Sequence, residues 1–516
     1  MERSIFLNLS PLDHRYYLAN QTLFDELSRY LSEEAVIRSI VTVEAEYLRL
    51  LVKRVGVPAN AGGRADAAAE RGADGGGDGT GGEHGGTPSE SGEVLDALGD
   101  IEKQITPDEV YEEEAKTHHN VRAVVNDMKR KVQGAAAPLV HLGATSVDML
   151  DTAASIRYRD VVRAVILPLL LSLEEQLIQL AENNAETTQI GRTHGQHAVP
   201  TTFGFAVSEY VARLGSAIQQ IDARSTSLRG KLSGAIGGYN ATSILTEDPV
   251  GLEAELMDRL GLTPAEHATQ IVPPEPLLRL LLELNTAFGI LANLADDLRN
   301  LQRTEIAEVR ESFGQSQVGS STMPQKRNPW NSEHVKSLWK TFAPRVQTFF
   351  LDQISEHQRD LTNSASGRFV AEYLAGFVAA AERTRRVIGG LQVDADRMRA
   401  NIEGSDAALA EAVYIALALA GEGDAHEIIR RITLQADDDG TSFTDALRSD
   451  EAVWQRIEAA FARRGVEAAD LFADPGRYRG QAAERTRAVC ERYRRVVENM
   501  RGELGGGAAT RGEPGA

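Results

Sequence analysis

From Leu277 onward, apolar residues return every seventh position for more than three repeats, and this run limits the possible folds more than any other stretch. One seam is Leu277, Leu284, Leu291 and Leu298, and a second is Leu280, Ala287, Leu294 and Leu301. A seven-residue period sustained over this length specifies a helix packed along other long helices with a left-handed supercoil. Leu281, Leu282, Phe288 and Ile290 widen the apolar face beyond one seam. A helix that is apolar on several sides belongs in a bundle of more than two. The expectation is an all-α fold in which long helices from several subunits share a central core.

Helical periodicity also runs from about Leu23 to Val55 and from about Ala153 to Asn183. In the second, Val162, Ile166, Leu169, Leu173, Leu177 and Leu180 form one stripe. Three domains are expected: an N-terminal helical domain over 1–140, a central long-helix domain over 141–388, and a C-terminal helical domain over 389–504. Residues 58–93 are mostly Gly, Ala, Asp, Glu and Ser and hold too little apolar area to offset the entropy of ordering. They read as a disordered acidic insertion, and 505–516 as a disordered tail.

A formal net charge of -20 over 516 residues argues against a nucleic-acid partner, because an acidic surface is repelled by phosphates. Arg outnumbers Lys, a bias that fits adaptation to high salt or a GC-rich genome. One cysteine, Cys490, allows no intrachain disulfide and no cysteine metal cluster. The start of the chain lacks a basic region followed by an apolar one. The apolar stretch Val161 to Leu173 is broken by Arg163 and Pro168 and is too short to span a bilayer. A cytoplasmic protein without a membrane partner is expected.

Chemistry concentrates in a few polar stretches. Val318-Gly-Ser-Ser-Thr-Met-Pro-Gln-Lys-Arg-Asn-Pro329 puts two hydroxyls, a lysine and an asparagine in an irregular loop after the lead-in Glu311 to Gln317. Such a loop can set a base near an anion. In His141-Leu-Gly-Ala-Thr-Ser-Val-Asp-Met-Leu-Asp-Thr152, Thr145 and Ser146 offer hydroxyls and N–H groups at a helix start, where anions bind; plain N-capping would also explain Ser146. Gly191-Arg-Thr-His-Gly-Gln-His197 carries His194 in a loop between two helices, and imidazole is the side chain that exchanges protons near neutral pH. His194 and His197 have no carboxylate or cysteine nearby to complete a metal site, so no metal is expected. Lys231-Leu-Ser-Gly-Ala-Ile-Gly-Gly is a glycine-rich turn, and Arg359 and Arg368 flank a Ser-rich segment suited to phosphate.

Taken together and in this order, these stretches resemble the fumarase/aspartase superfamily of helical lyases. The Gly-Ser-Ser-x-Met-Pro-x-Lys-x-Asn run matches its signature at every fixed position. Thr-His-Gly-Gln with Pro-Thr-Thr-Phe-Gly, and Ser10-Pro-Leu-Asp-His-Arg-Tyr16, resemble the adenylosuccinate lyase family within it. The resemblance covers nearly all of the chain outside 58–93 and the tail. It departs at Asn120, at Pro274 to Pro276 and at His334, where that family usually carries other residues.

The resemblance implies a homotetramer with active sites shared between subunits and no cofactor. The implied reaction is β-elimination of fumarate from adenylosuccinate, giving AMP, and from the succinylated aminoimidazole carboxamide ribotide. It implies Ser320 as base, Lys326 as stabiliser of the oxyanion and of the carbanion-like intermediate, and His194, oriented by Glu333, as acid. Composition alone does not choose between Ser320 and Ser321. Thr145, Ser146 and Asn328 would bind the fumaryl carboxylates, and Ser321 and Gln270 would bind the substrate. Arg15 and Tyr16 would contact the nucleotide, His119 would lie near the phosphate or the leaving group, and Arg359, Ser364 and Arg368 would hold the AMP part and its phosphate. Rival readings are a related lyase or cycloisomerase for argininosuccinate, aspartate or carboxymuconate, which need no phosphate site, and a silent helical scaffold.

Overall fold

The helices expected from periodicity form, with breaks where capping or proline chemistry demands them. The computed structural model describes residues 4–57, 95, 98–132, 134–314 and 321–510. The 58–93 segment and Ser320 lie outside the described residues. The chain divides into two units. One comprises Met1–Leu167, Gln220–Asn285 and Pro344–Gly376, and the other Pro168–Gln219, Thr286–Ala343 and Phe377–Ala516. Three long helices, Phe203–Ser225, Glu275–Leu301 and Val370–Gly389, are each divided between the two.

In the first unit the periodic stretch from Leu23 is two helices, Gln21–Leu31 and Glu33–Val55. Ser32 separates them. Its Oγ accepts the Ala35 N–H at 3.2 Å, an N-cap that starts a new helix. Glu33 and Glu34 in the first turn, and Lys53 and Arg54 in the last, match the helix dipole. Ile40, Tyr47, Leu48 and Leu51 of this helix are almost fully buried, in one core with Val124 and Met128 of the helix Asn120–Val132 and with Met149 of the helix Ser146–Val161. Beyond Val161 a π-helical turn, Val162–Ile166, precedes Leu167–Asn183. Pro168 supplies the reason: it has no N–H and crowds the carbonyl four residues back, so a wider turn relieves the ladder there.

In the second unit, helices approach closely where a side chain is missing. A Cβ on Gly204 would stand 2.3 Å from the Ala181 carbonyl oxygen. Phe288 and Phe377 meet edge to face, ring centres 5.4 Å apart. A separate apolar cluster, including Val413, Leu417, Phe443, Leu447 and Ile457, forms the core of the helices from Ala410 to Ala473. The last helix is Ala482–Thr510.

The heptad stretch is one helix, Glu275–Leu301. By length and composition it could cross a membrane, a property the apolar run from Val161 lacks. Its seams are inside the protein, however: Leu280, Leu284, Ala287, Leu291 and Leu294 are all at most 2% exposed in the single chain. The chain's own residues therefore cover most of what the repeat demands, and the repeat does not by itself require helices from other subunits.

The departures from helix are three two-stranded sheets among the described residues. One matters for the site. Thr188–Thr193 pairs antiparallel with Gln196–Thr202, and His194 and Gly195 form the two-residue turn between them. Their φ angles are +54° and +74°, the sign required at both positions of a type I′ hairpin turn. His194, expected in a loop joining helices, instead sits at the tip of a hairpin.

Candidate active site

In the first unit, several candidate residues gather around the start of the helix Ser146–Val161. Thr145, not Ser146, is the N-cap, with an extended backbone. Its N–H donates to Asp148 Oδ2 at 2.8 Å. Asp148 does more than complement the helix dipole. It forms an ion pair with Lys231 in which neither side chain is exposed, and Oδ1 also accepts the N–H groups of Ser233 and Gly234 at 3.2 and 3.3 Å. One buried carboxylate thus ties the helix start to the glycine-rich turn. Gly237 in that turn has φ +84° and packs so close to the Ala268 carbonyl that no Cβ would fit.

Ser146 Oγ lies 3.5 Å from His119 Nε2. The paired histidines mark a helix break: His118 closes the helix Pro107–Thr117 with φ +53°, and Asn120 opens the next. Both histidines are exposed. His141, in the same sequence stretch as Thr145 but not singled out by its motif, has Nδ1 2.6 Å from Oε1 of the fully buried Glu44. Burial opposes charge on this imidazole, but the bond to Glu44 and its charge hold the pKa above the ordinary histidine value.

One turn along the helix from Asp148, Asp151 Oδ2 accepts the Val272 N–H at 2.9 Å. Burial pushes the Asp151 carboxyl up to about 6, against the pull of that bond and of the positive charges on Lys231 and Arg359. Arg359 Nη1 donates to Gln270 Oε1 at 3.3 Å, and the Gln270 N–H donates to the Gln358 carbonyl at 3.3 Å. His119, Thr145, Ser146, Gln270 and Arg359 are thereby linked to one neighbourhood. Ser364 and Arg368 bound the short helix Ser364–Arg368 and are exposed. Arg15, exposed, and Tyr16, half-buried, open the helix Arg15–Ala19.

In the second unit, His194 is exposed at its hairpin tip. Ser321 and Lys326 are exposed, Asn328 is half-buried, and the Lys326 N–H donates to the Met323 carbonyl at 3.0 Å. The helix Trp330–Phe342 begins directly after this stretch. Its start is clamped by Glu311, whose Oε1 accepts from Ser332 N at 2.8 Å and Ser332 Oγ at 2.6 Å, while Oε2 accepts from Asn331 Nδ2 at 2.9 Å. Glu333 stands exposed on the first turn. Among the described residues no bond joins Glu333 to His194. No group of His, Cys, Asp and Glu side chains among the described residues could hold a metal ion.

Sequence reasoning passed over Asp148 with Lys231, His141 with Glu44, and Glu311. A hint existed for two of them: Lys231 is a charged residue inside an otherwise small and apolar turn, and Glu311 closes the acidic run Glu305-Ile-Ala-Glu-Val-Arg-Glu.

The fold and the matched sequence define the class. The chain superposes on a 3-carboxy-cis,cis-muconate lactonizing enzyme from Pseudomonas putida with a TM-score of 0.72 at 23% identity, over 92% of this chain and 97% of that one. A fumarate lyase from Mesorhizobium sp. BNC1 gives 0.71 at 23%, over 90% and 97%. Residues 87–341 match the family model described as Lyase. The class is therefore a helical lyase of this fold.

Residues 355–463 match the model described as Adenylosuccinate lyase C-terminal. The adenylosuccinate lyase of Archaeoglobus fulgidus is 30% identical over 95% of this chain and 99% of its own length. That of Pyrococcus abyssi is 32% identical over 86% and 90%. The chain belongs to the adenylosuccinate lyase family.

Proposed function

We propose that this chain cleaves adenylosuccinate into AMP and fumarate, and in the same way releases fumarate from the succinylated aminoimidazole carboxamide ribotide in purine nucleotide biosynthesis. The observation that carries the reading is the placement of Arg359, Ser364 and Arg368 within the 355–463 segment that matches the adenylosuccinate lyase C-terminal model. A phosphate-holding set is what a nucleotide substrate needs and what argininosuccinate, aspartate or carboxymuconate does not. The planar fork of Arg suits phosphate oxygens.

Elimination needs a base at the carbon beside a carboxylate and an acid at the departing nitrogen. Ser320 serves as base. Desolvation alone opposes its ionisation, so the ammonium of Lys326 must favour the alkoxide, and the same cation stabilises the carbanion-like intermediate. Thr145, Ser146 and Asn328 bind the fumaryl carboxylates, and Ser321 contacts the substrate. His194 protonates the leaving nitrogen, with Glu333 orienting it. His119, Gln270, Arg15 and Tyr16 contact the rest of the substrate. We place the complete site between subunits of a homotetramer.

The direct test is to mix pure protein with adenylosuccinate and follow ultraviolet absorbance and fumarate release. Turnover of a substrate without phosphate, and none of adenylosuccinate, would replace this reading with a related lyase. The acidic surface we attribute to high-salt adaptation. Molar KCl should then raise the melting temperature over dilute buffer, because screening relieves self-repulsion; equal values would leave genomic composition as the account.

A further inference from the structure

Glu308 belongs to none of the motifs used so far. Its side chain is fully buried, and both oxygens are occupied. Oε2 accepts from Gln189 Nε2 at 2.7 Å and from Arg192 Nη1 at 3.1 Å. Oε1 accepts from Arg192 Nη2 at 2.6 Å and from Asn401 Nδ2 at 2.7 Å. Gln189 and Arg192 lie on the first strand of the hairpin that carries His194, and Asn401 lies on the helix Ala395–Glu403.

Residues three apart on a regular strand face opposite sides, because side chains alternate. Here the register shifts between Ile190 and Arg192. Such an irregularity re-aims the side chains that follow it, and it lets Gln189 and Arg192 reach the same carboxylate. The anchor itself is fixed. The Glu308 N–H donates to the Leu301 carbonyl at 3.0 Å, and its carbonyl accepts the Asp394 N–H at 3.0 Å. Beside it, Ile190 packs with Ile402 and Ala408 in a small buried cluster, and His197 Nδ1 meets Ser405 Oγ.

We infer that Glu308 is a positioning residue for His194. A two-stranded hairpin is marginal on its own, so its tip goes where its base is held. Arg192 is two residues from His194, and Glu308 is the buried charge that holds Arg192. The inference rests on the reading of His194 as the group that protonates the leaving nitrogen. Glu308 does not touch the reacting atoms; it sets where the imidazole stands, and small misplacements of a catalytic group cost large factors in rate.

The test is Glu308→Gln, which keeps the shape but turns an acceptor into a donor facing Arg192 or Asn401. With adenylosuccinate, kcat should fall about tenfold or more while KM stays within about threefold, as expected when only the reacting geometry is lost. In a His194→Ala background the same change should leave the residual rate unaltered, because the imidazole through which it acts is gone. Two results would overturn the inference with the wild type active: a wild-type kcat for Glu308→Gln, or a further drop in the His194→Ala background equal to that in the wild type. A wild type inactive on adenylosuccinate would overturn the functional reading and this inference with it. If Glu308→Gln fails to fold, Asn401→Ala removes one donor from the same carboxylate; it should lower kcat without raising KM, and an unchanged kcat sinks the idea.

Discussion

Lys231 Nζ is paired with Asp148 Oδ1, and neither side chain has any exposed surface. The pair joins the glycine-rich turn to the start of the helix that carries Thr145 and Ser146. Breaking a buried ion pair from one side leaves an uncompensated charge, at about 3–5 kcal/mol. Lys231→Met should destabilise the protein by roughly that amount in urea unfolding. Adding Asp148→Asn should recover part of it, since a neutral amide keeps an acceptor for the Ser233 and Gly234 N–H groups. No recovery in the double variant would mean that the charge is not the source of the loss.

Glu174 sets a pH dependence of stability. It is fully buried on the helix Leu167–Asn183, and among the described residues neither of its oxygens has a hydrogen-bond partner. Its Oε1 lies against Gly215, where the Tyr493 ring also packs, and in its ionised form it would raise the Cys490 thiol. Burial raises its pKa well above the ordinary value. The folded state therefore holds a proton that the unfolded state gives up above about pH 4.3. Stability from this group is full below that pH and falls as the pH rises toward the folded pKa. Glu174→Gln should raise the melting temperature at pH 8 and leave it nearly unchanged at pH 4. Parallel pH curves for variant and wild type would contradict this.

Arg368 tests the phosphate. Arg368→Ala should raise KM for adenylosuccinate by roughly ten- to a hundredfold, since a bond to a charged group contributes about 1.5–3 kcal/mol. The exposed position predicts an unchanged fold by circular dichroism. An unchanged KM would remove the main reason for preferring a nucleotide substrate.

The shared site is tested by complementation. Inactive His194→Ala and Ser320→Ala proteins, mixed after dissociation and reassembly, should regenerate some sites that carry both intact residues if these come from different subunits. Activity that stays at the mutant baseline, with hybrids shown by a tag on one partner, would place both residues in one chain.

Much of this was legible along the chain. Seven-residue spacing determined the Glu275–Leu301 helix, because period is a local property that a helix converts directly into a face. The order Gly-Ser-Ser-x-Met-Pro-x-Lys-x-Asn, with Thr-His-Gly-Gln before it, pointed to the lyase family that the comparisons establish. Even the hairpin left a trace: β-branched Thr188, Ile190, Val199 and Thr201 flank a His-Gly pair suited to a tight turn. Strong helices on both sides hid it, and a two-residue turn needs positive φ at a histidine, which composition does not announce.

What tertiary structure alone decided is which charges are buried and what they hold. Along the chain Asp148 is an acidic residue in the first turn of a helix, and Glu308 is one more acidic residue in a chain full of them. Only folding brings Lys231 to the first and Gln189, Arg192 and Asn401 to the second. A carboxylate's role depends on the donors that reach it once water is gone, and those donors come from positions distant in sequence. The same holds for the heptad helix: its period was written in the chain, but whether its seams meet the chain's own residues or a neighbour's is decided by packing, which no single stretch encodes.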